Sequence, residues 1–276
     1  MSENNGSVHF LYATKVGRIL LKGIMAVHAD KLAAKFLWTK ASKPLVGWYA
    51  KKHSIPLENK EQFSSFREFF IRTRPMEAMD EQPDHLISPC DGWLSVYPIH
   101  ADSSFAIKGS RYRLRDFLQD ETLEKNFQDG VCFIFRLCAS DYHHYCYIDD
   151  GFQGTNHFIP GVLHSVQPIA CETYPVYTLN RRMWTLFETE HFGPVIQTEI
   201  GALVVGGIVN EHENKRVTKG MEKGHFELAG STIVILFEKE KVKLLPEIAE
   251  ALESGAEFRV HQGMWIATAV ASGAIS

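Results

Sequence analysis

This 276-residue chain has few or none of the sequence features that identify a structural or functional class of protein directly. Its five cysteines are odd in number and include no CxxC pair, so neither a disulfide framework nor a cysteine zinc site is expected. No apolar run approaches the roughly 20 residues needed to cross a bilayer, and the start "MSENNGSVHF" lacks the apolar centre of a signal peptide. The net charge of −4 is uninformative as a whole. We therefore expect a cytoplasmic protein without a nucleic-acid partner, whose membrane contact, where present, is peripheral.

The charges that are present are distributed unevenly. Residues 15–52 hold nine Lys or Arg and only Asp30 as an acidic residue. Helical spacing places apolar residues on one face of this segment and basic residues opposite, and Trp38 and Trp48 follow among lysines. The apolar positions are Val16, Leu20, Ile24 and Val27. Such a segment suits an anionic membrane surface, although the same helices would also be explained by packing on a core with their lysines in water.

From about residue 85 the pattern changes to apolar, β-branched runs separated by Gly, Pro and Asp turns. Before this point we expect helices over 10–52 and at 64–75, where Ser65 is a candidate N-cap and Glu68–Arg72 an i,i+4 pair. After it, we expect a helix only at 113–127. We predict the α+β class, with a helical N-terminal segment on a mostly antiparallel β core. The expected units are a basic, membrane-associating segment at 1–75 and a β-rich catalytic domain at 76–276.

The stretch "HFELAGSTIVILFEKEKV" (225–242) predicts a buried strand that begins with Gly230-Ser231-Thr232. Small residues there commonly form only a turn. A chemical interpretation is that the Ser231 hydroxyl attacks the preceding carbonyl, where glycine permits unusual backbone geometry. The resulting ester eliminates, the chain is cleaved, and the former serine becomes an N-terminal pyruvoyl group. That ketone can condense with an amine and serve as an electron sink. The tripeptide alone does not decide between the two.

Two further stretches hold candidate catalytic side chains. In "SPCDGWLS" (88–95), Asp91-Gly92 is a turn signal for a hairpin, but Asp91 could also orient or stabilise a neighbouring base. In "RLCASDYHHYCYIDDG" (136–151), His143 and His144 lie beside an aspartate and a cysteine. Adjacent histidines on a strand point to opposite faces, so no metal site is expected there.

Taken together, the motifs resemble the phosphatidylserine decarboxylase family, which is pyruvoyl-dependent and self-cleaving. The resemblance runs from about Phe63 to Phe237 through "SFREFFIR", "SPCDG", "IKGSRYRLRDFL", "DYHHYCYIDDG", "GVLHSVQPI", "ETEHFGPVIQTEIGALVVGGIV" and "KGMEKGHFELAGST". It implies a β chain ending at Gly230 and an α chain beginning with a pyruvoyl group made from Ser231. It also implies Asp91 in self-cleavage and His143 in decarboxylation, at an enzyme held peripherally on the cytoplasmic side of the cell membrane.

Two residues depart from the family pattern. Cys146 stands where the family commonly has a second histidine for self-cleavage, and Gln167 stands where asparagine is usual. We hypothesise that His144 or a Cys146 thiolate supplies the base. The implied partners are the phospholipid substrate and an anionic membrane surface, with homo-oligomerisation left open. The departures keep two alternatives: a pyruvoyl decarboxylase of a soluble amino acid, and a non-processing relative that only binds lipid.

Overall fold

The computed structural model describes residues 6–26, 29–57, 62–75, 78–107, 110–202, 207–227 and 231–270. None of the helices within these ranges is long and apolar enough to cross a membrane. The helices are α1 (Gly6–Ala13), α2 (Lys15–Ala26), α3 (Ala29–Leu37), α4 (Pro44–Lys52), α5 (Phe66–Phe70), α6 (Leu114–Leu118), α7 (Pro168–Thr173), α8 (Val176–Leu179) and α9 (Pro246–Glu253).

Most of the remaining structure is β-sheet, as the alternating apolar runs predict. The strands are β1 (His85–Ile87), β2 (Gly92–Pro98), β3 (Ser104–Ile107), β4 (Ser110–Arg113), β5 (Val131–Leu137), β6 (His144–Cys146), β7 (Gly151–Ile159), β8 (Arg182–Thr189), β9 (Pro194–Ile200), β10 (Ile208–Asn210), β11 (Lys215–Val217), β12 (Glu222–Phe226), β13 (Ser231–Phe237), β14 (Val242–Leu244), β15 (Phe258–Val260) and β16 (Trp265–Ala269).

The central layer is an eight-stranded antiparallel sheet in the order β11-β7-β8-β9-β13-β5-β2-β15. Strand β13 lies inside it between β9 and β5, and all seven of its residues are buried. One face packs in a core with Val234 and Leu236, and the opposite face packs in a second core with Ile233 and Ile235. The predicted α+β class with a mostly antiparallel core is confirmed.

A smaller sheet, β10-β12-β6, lies over one face of the large sheet. Tyr145 of β6 and Phe226 of β12 share a core with Ile233, Ile235 and Phe237 of β13. Because side chains alternate along a strand, Ser231 lies on the same face as Ile233. Ser231 therefore faces the layer that contains β6 and β12. Two further small sheets have the orders β1-β16-β14 and β3-β4.

The N-terminal helices expose the apolar face that the sequence identified. Val16, Ile19 and Leu20 of α2 are exposed, while Leu21 is buried. The side chains of Ile24 and Val27, the other two predicted apolar positions, lie outside the described part. The expected helix is present over Lys15–Ala26, and the two predicted positions that the structure describes, Val16 and Leu20, are exposed to solvent.

Some local expectations were wrong. The helix at 113–127 is two pieces, α6 and a 3-10 helix at Leu123–Phe127, because Gln119 adopts a left-handed conformation with φ of 53°. Helix α5 ends at Phe70 rather than at Pro75. Its N-cap is Ser65 as expected, but Glu68 accepts hydrogen bonds from Ser64 instead of pairing with Arg72. The strands flanking Asp91-Gly92 do not form a hairpin, since β1 pairs with β16 and β2 pairs with β5 and β15.

Candidate active site

Ser231 is the first residue of β13, and its side chain is only 1% exposed. Within the described residues, its Oγ is buried and has no hydrogen-bond partner. A buried hydroxyl without a partner is costly and calls for an explanation. Gly230, on the other side of the candidate cleavage bond, lies outside the described residues. The serine is thus held in the core at the end of a strand, with its hydroxyl uncommitted.

Asp91 lies at the same end of the sheet as Ser231. Ser231 is paired with Leu137 of β5, and the neighbouring Arg136 is paired with Trp93 of β2. Asp91 directly precedes β2, so two strand spacings, about 10 Å in total, separate it from Ser231 across the sheet. The backbone at residue 92 passes so close to β5 that glycine is required there. A Cβ added at this position would lie 2.8 Å from the carbonyl oxygen of Arg136.

The Asp91 carboxylate is buried and held by three donors. Arg74 donates two hydrogen bonds, of 2.8 Å to Oδ2 and 2.9 Å to Oδ1, and the Gln262 backbone N–H donates one of 3.0 Å to Oδ1. Burial by itself raises the pKa of this carboxyl, but these hydrogen bonds outweigh it and the net pKa is lowered. His261 Nδ1 lies 3.9 Å from Oδ1. Asp91 is therefore a charged carboxylate whose hydrogen bonds hold Arg74 and the backbone of Gln262 in place.

His143 directly precedes β6 and is 1% exposed. Its Nδ1 lies 2.9 Å from the carbonyl oxygen of Asp141, so Nδ1 carries the proton and donates. Its Nε2 is buried and has no partner among the described residues. Burial lowers the pKa of His143 to about 4. The ring is consequently neutral at pH 7, with a free lone pair on Nε2, which is the state required of a base.

The side chain of His144 points in the opposite direction from the side chain of His143. Its ring stacks on Tyr142 and His225, whereas the His143 ring contacts Phe70. His144 Nε2 lies 3.0 Å from the carbonyl oxygen of Ile71, and Nδ1 lies 2.6 Å from Glu222. Both ring nitrogens of His144 are thus already bonded.

Cys146 is buried beside Pro89 and Gln262. Its backbone N–H donates to Pro89, and the Gln262 side chain, which also donates to Pro89, interacts with the thiol. Burial raises the pKa of Cys146 to about 12. A thiolate at this position is therefore unfavourable at pH 7. His144 and Cys146 are two residues apart on β6, and their β12 partners are His225 and Glu222, with a register shift between Glu222 and Gly224.

Three residues that contact the candidate site were not identified from the sequence. Arg74 and Gln262 bind Asp91 from segments that are distant in the chain, and His225 stacks on His144 from β12. Arg74 and Gln262 belong to no motif that points to Asp91. His225 does lie in the stretch that leads to Ser231, and that position was the available signal.

Comparison with known proteins agrees with the motif pattern. The phosphatidylserine decarboxylase family model matches residues 63–267. Phosphatidylserine decarboxylase proenzyme 2 of Clostridium acetobutylicum is 39% identical over 264 residues, which cover 94% of this chain and 90% of the relative. A phosphatidylserine decarboxylase proenzyme of Clostridium botulinum is 36% identical over 276 residues, covering 95% and 92%. One of Desulfitobacterium hafniense is 33% identical over 260 residues, covering 91% and 87%. The chain belongs to the phosphatidylserine decarboxylase family.

Proposed function

We propose that this chain decarboxylates phosphatidylserine to phosphatidylethanolamine and CO2, after cleaving itself between Gly230 and Ser231. The proposal rests on the buried, unpartnered hydroxyl of Ser231 at the start of β13, within a chain of this family. The relatives are named phosphatidylserine decarboxylase proenzymes, and "proenzyme" describes a precursor. Cleavage before Ser231 would divide one precursor into a β chain of residues 1–230 and an α chain of residues 231–276.

Self-cleavage uses the Ser231 hydroxyl as a nucleophile. Oγ attacks the carbonyl carbon of residue 230, the amide C–N bond breaks, and an ester forms. Loss of the Ser231 α-proton then expels the residue 230 carboxylate, and tautomerisation and hydrolysis release ammonia. The unpartnered Oγ supports this role, because a hydroxyl already donating to a carbonyl would first have to give up that hydrogen bond.

The same position fits the pyruvoyl group that cleavage would leave there. Residue 231 is buried and faces the layer that contains β6. When formed, the group supplies an electron sink for the electron pair left by CO2. His143 Nε2 can accept a proton from the substrate and return it to the carbon that has lost CO2, because this ring is neutral at pH 7.

Intact mass measurement tests self-cleavage directly. The purified protein should show two fragments divided before Ser231, with the smaller lacking a normal amino terminus. Ser231→Ala should remain one chain without decarboxylase activity. Ser254→Ala, at the end of α9, is the matched control and should be processed like the wild type. An uncleaved wild-type chain with full activity would exclude the proposal.

Two substitutions separate the proposed roles of Asp91 and His143. Asp91→Asn should slow self-cleavage, because the charge at this turn is lost while the side chain keeps its shape. His143→Asn should be cleaved but lose decarboxylation by at least about 100-fold, the scale of an acid–base group. An unprocessed His143→Asn with a fully active Asp91→Asn would contradict this assignment.

The base in self-cleavage is proposed to be His144 or Cys146, the two residues near the family's second-histidine position. Burial disfavours the Cys146 thiolate, and both nitrogens of His144 are engaged, so each would need a rearrangement to act. The rate of precursor disappearance in His144→Ala and Cys146→Ser measures their roles. Wild-type rates in both variants would end this hypothesis.

We further propose that the N-terminal helices bind the surface of an anionic membrane. Within the described residues they expose large apolar side chains together with lysines, a combination that suits lipid headgroups and the outer acyl region. The exposed apolar residues are Phe10, Val16, Ile19, Leu20, Leu32, Phe36, Trp38 and Trp48. On this proposal, binding should weaken as salt is added.

Sedimentation with vesicles tests membrane binding. Ile19→Glu should weaken binding to phosphatidylglycerol vesicles by at least about tenfold, because it removes an exposed apolar side chain that would enter the lipid and adds negative charge. Phe158→Glu is the control, since Phe158 is also exposed but lies on β7. Equal loss in both variants would contradict a specific role for the helices.

A substrate assay distinguishes the remaining alternatives. Phosphatidylserine should be decarboxylated and free serine or other amino acids should not. Activity on a soluble amino acid alone would identify a related pyruvoyl decarboxylase. Vesicle binding without cleavage would identify a lipid-binding relative.

A further inference from the structure

A second cluster of titratable side chains lies where β6 pairs with β12. His144 and His225 are directly paired across the two strands, and their rings stack with centroids 4.9 Å apart. The side chain of Glu222, at the other end of β12, extends to the ring of His144. One ligand atom from each of the three side chains can be chosen so that all lie within 4.8 Å of one another.

The orientation of His144 is fixed from outside the cluster. Its Nε2 lies 3.0 Å from the carbonyl oxygen of Ile71, so this nitrogen carries a proton and donates. Nδ1 is thereby aimed at Glu222 Oε1, 2.6 Å away. A ring lone pair facing a carboxylate requires a cation between them, either a proton or a metal ion. A backbone carbonyl that holds the remote ring N–H is the usual support of a metal-binding histidine.

His225 supplies an independent observation. Both of its ring nitrogens are buried and have no hydrogen-bond partner within the described part of the chain. Neither ring nitrogen is committed to another described group, so either can serve as a ligand. Glu211 adds negative charge at one side, with Oε1 3.7 Å from Nδ1.

We propose that His144, Glu222 and His225 bind a divalent transition-metal ion of the Zn²⁺ class. Two imidazole nitrogens and one carboxylate oxygen are a donor set that these ions prefer. His144 would contribute Nδ1, and Glu222 is half exposed, so its carboxylate can move inward. Water would complete the coordination at the exposed side.

The sequence argument against a metal concerned only adjacent histidines, and it does not apply to this cluster. His143 and His144 do point to opposite faces, but the second histidine comes from β12. A bound ion would join β6, which follows His143, to β12, which leads toward Ser231. Metal binding would thus stabilise the pairing of these two strands. The inference stands on coordination chemistry and does not require the proposed decarboxylase activity.

Metal binding can be measured on untagged full-length protein, stripped with a chelator and dialysed against Zn²⁺. Elemental analysis should find one ion per chain, and Co²⁺ should give the visible absorption of a low-symmetry site. His225→Gln and Glu222→Gln should each weaken binding by at least about tenfold, the low end of what even a supporting residue contributes. His100→Gln, an exposed histidine outside the cluster, should bind like the wild type.

Thermal unfolding keeps the test independent of enzymatic activity. Zn²⁺ should raise the melting temperature of the wild type and of His100→Gln but not of His225→Gln. Glu222→Gln is a second ligand variant that should fold normally, because Glu222 is half exposed and glutamine has nearly the same shape. No binding by the wild type, or equal binding by wild type, His225→Gln and Glu222→Gln, would overturn the proposal.

Discussion

Helix α2 and strand β13 are both rich in apolar residues, yet they relate to water in opposite ways. All seven residues of β13 are buried between two cores, whereas Val16, Ile19 and Leu20 of α2 remain exposed. The strand lies inside a sheet that is covered on both faces, whereas these three side chains of the helix have no such cover. Apolar composition therefore supports the core in one region and remains on the surface in the other.

Replacing an isoleucine by alanine in β13 and in α2 should give the largest difference in the free energy of unfolding. Ile235→Ala, at a residue 1% exposed, should lower the free energy of unfolding by about 3 kcal/mol, because it removes buried methyl groups and leaves a cavity. Ile19→Ala, at a residue 72% exposed, should change it by less than about 0.5 kcal/mol. Urea unfolding in the Ser231→Ala background compares them on a single chain. Equal losses would show that α2 packs like the core.

The second prediction concerns acid sensitivity of the buried core. The folded pKa of His143 is about 4, below the ordinary value of 6.5, so the unfolded chain takes up this proton first. Stability from this group is complete above pH 6.5 and is lost as pH falls toward 4. The maximum loss is roughly 3 kcal/mol. His143→Asn should lack this component.

Urea unfolding at pH 7 and pH 4.5 measures that component. The wild type should lose more stability than His143→Asn between these two values. His9→Asn, in α1 and exposed, is the control and should follow the wild type. Parallel curves for wild type and His143→Asn would contradict a depressed pKa.

The smallest expected effect concerns a contact between the N-terminal helices and the rest of the chain. Tyr12 of α1 accepts a hydrogen bond of 2.8 Å from the Ser165 backbone N–H and lies 3.2 Å from His164 Nδ1. Tyr12→Phe leaves that buried N–H without a partner and should cost about 1 kcal/mol. Tyr174→Phe, on a ring packed against the same pair, should cost less. Identical unfolding curves for Tyr12→Phe and wild type would refute the anchoring role.

Much of the strand content could be predicted from local sequence, since β13 and the β8–β9 pair follow a two-residue alternation. The break at Gln119 was not predicted, because a left-handed glutamine has no reliable sequence signal. The pairing partners of β1 and β2 could not be predicted either. Strand β1 pairs with β16, and β2 pairs with β5 and β15, so each has a partner from the far end of the chain. Local turn signals do not specify such distant pairings.

The candidate site divides in the same way. The sequence by itself determined which residues have suitable chemistry: Ser231 after a glycine, Asp91 in a turn, and His143 beside an aspartate. Only the tertiary structure decided that His143 is neutral with a free Nε2, that Arg74 holds Asp91 charged, and that His144 faces His225. The reason is physical, because burial, ion pairing and strand register depend on segments far apart in the chain, whereas side-chain chemistry and strand periodicity are local.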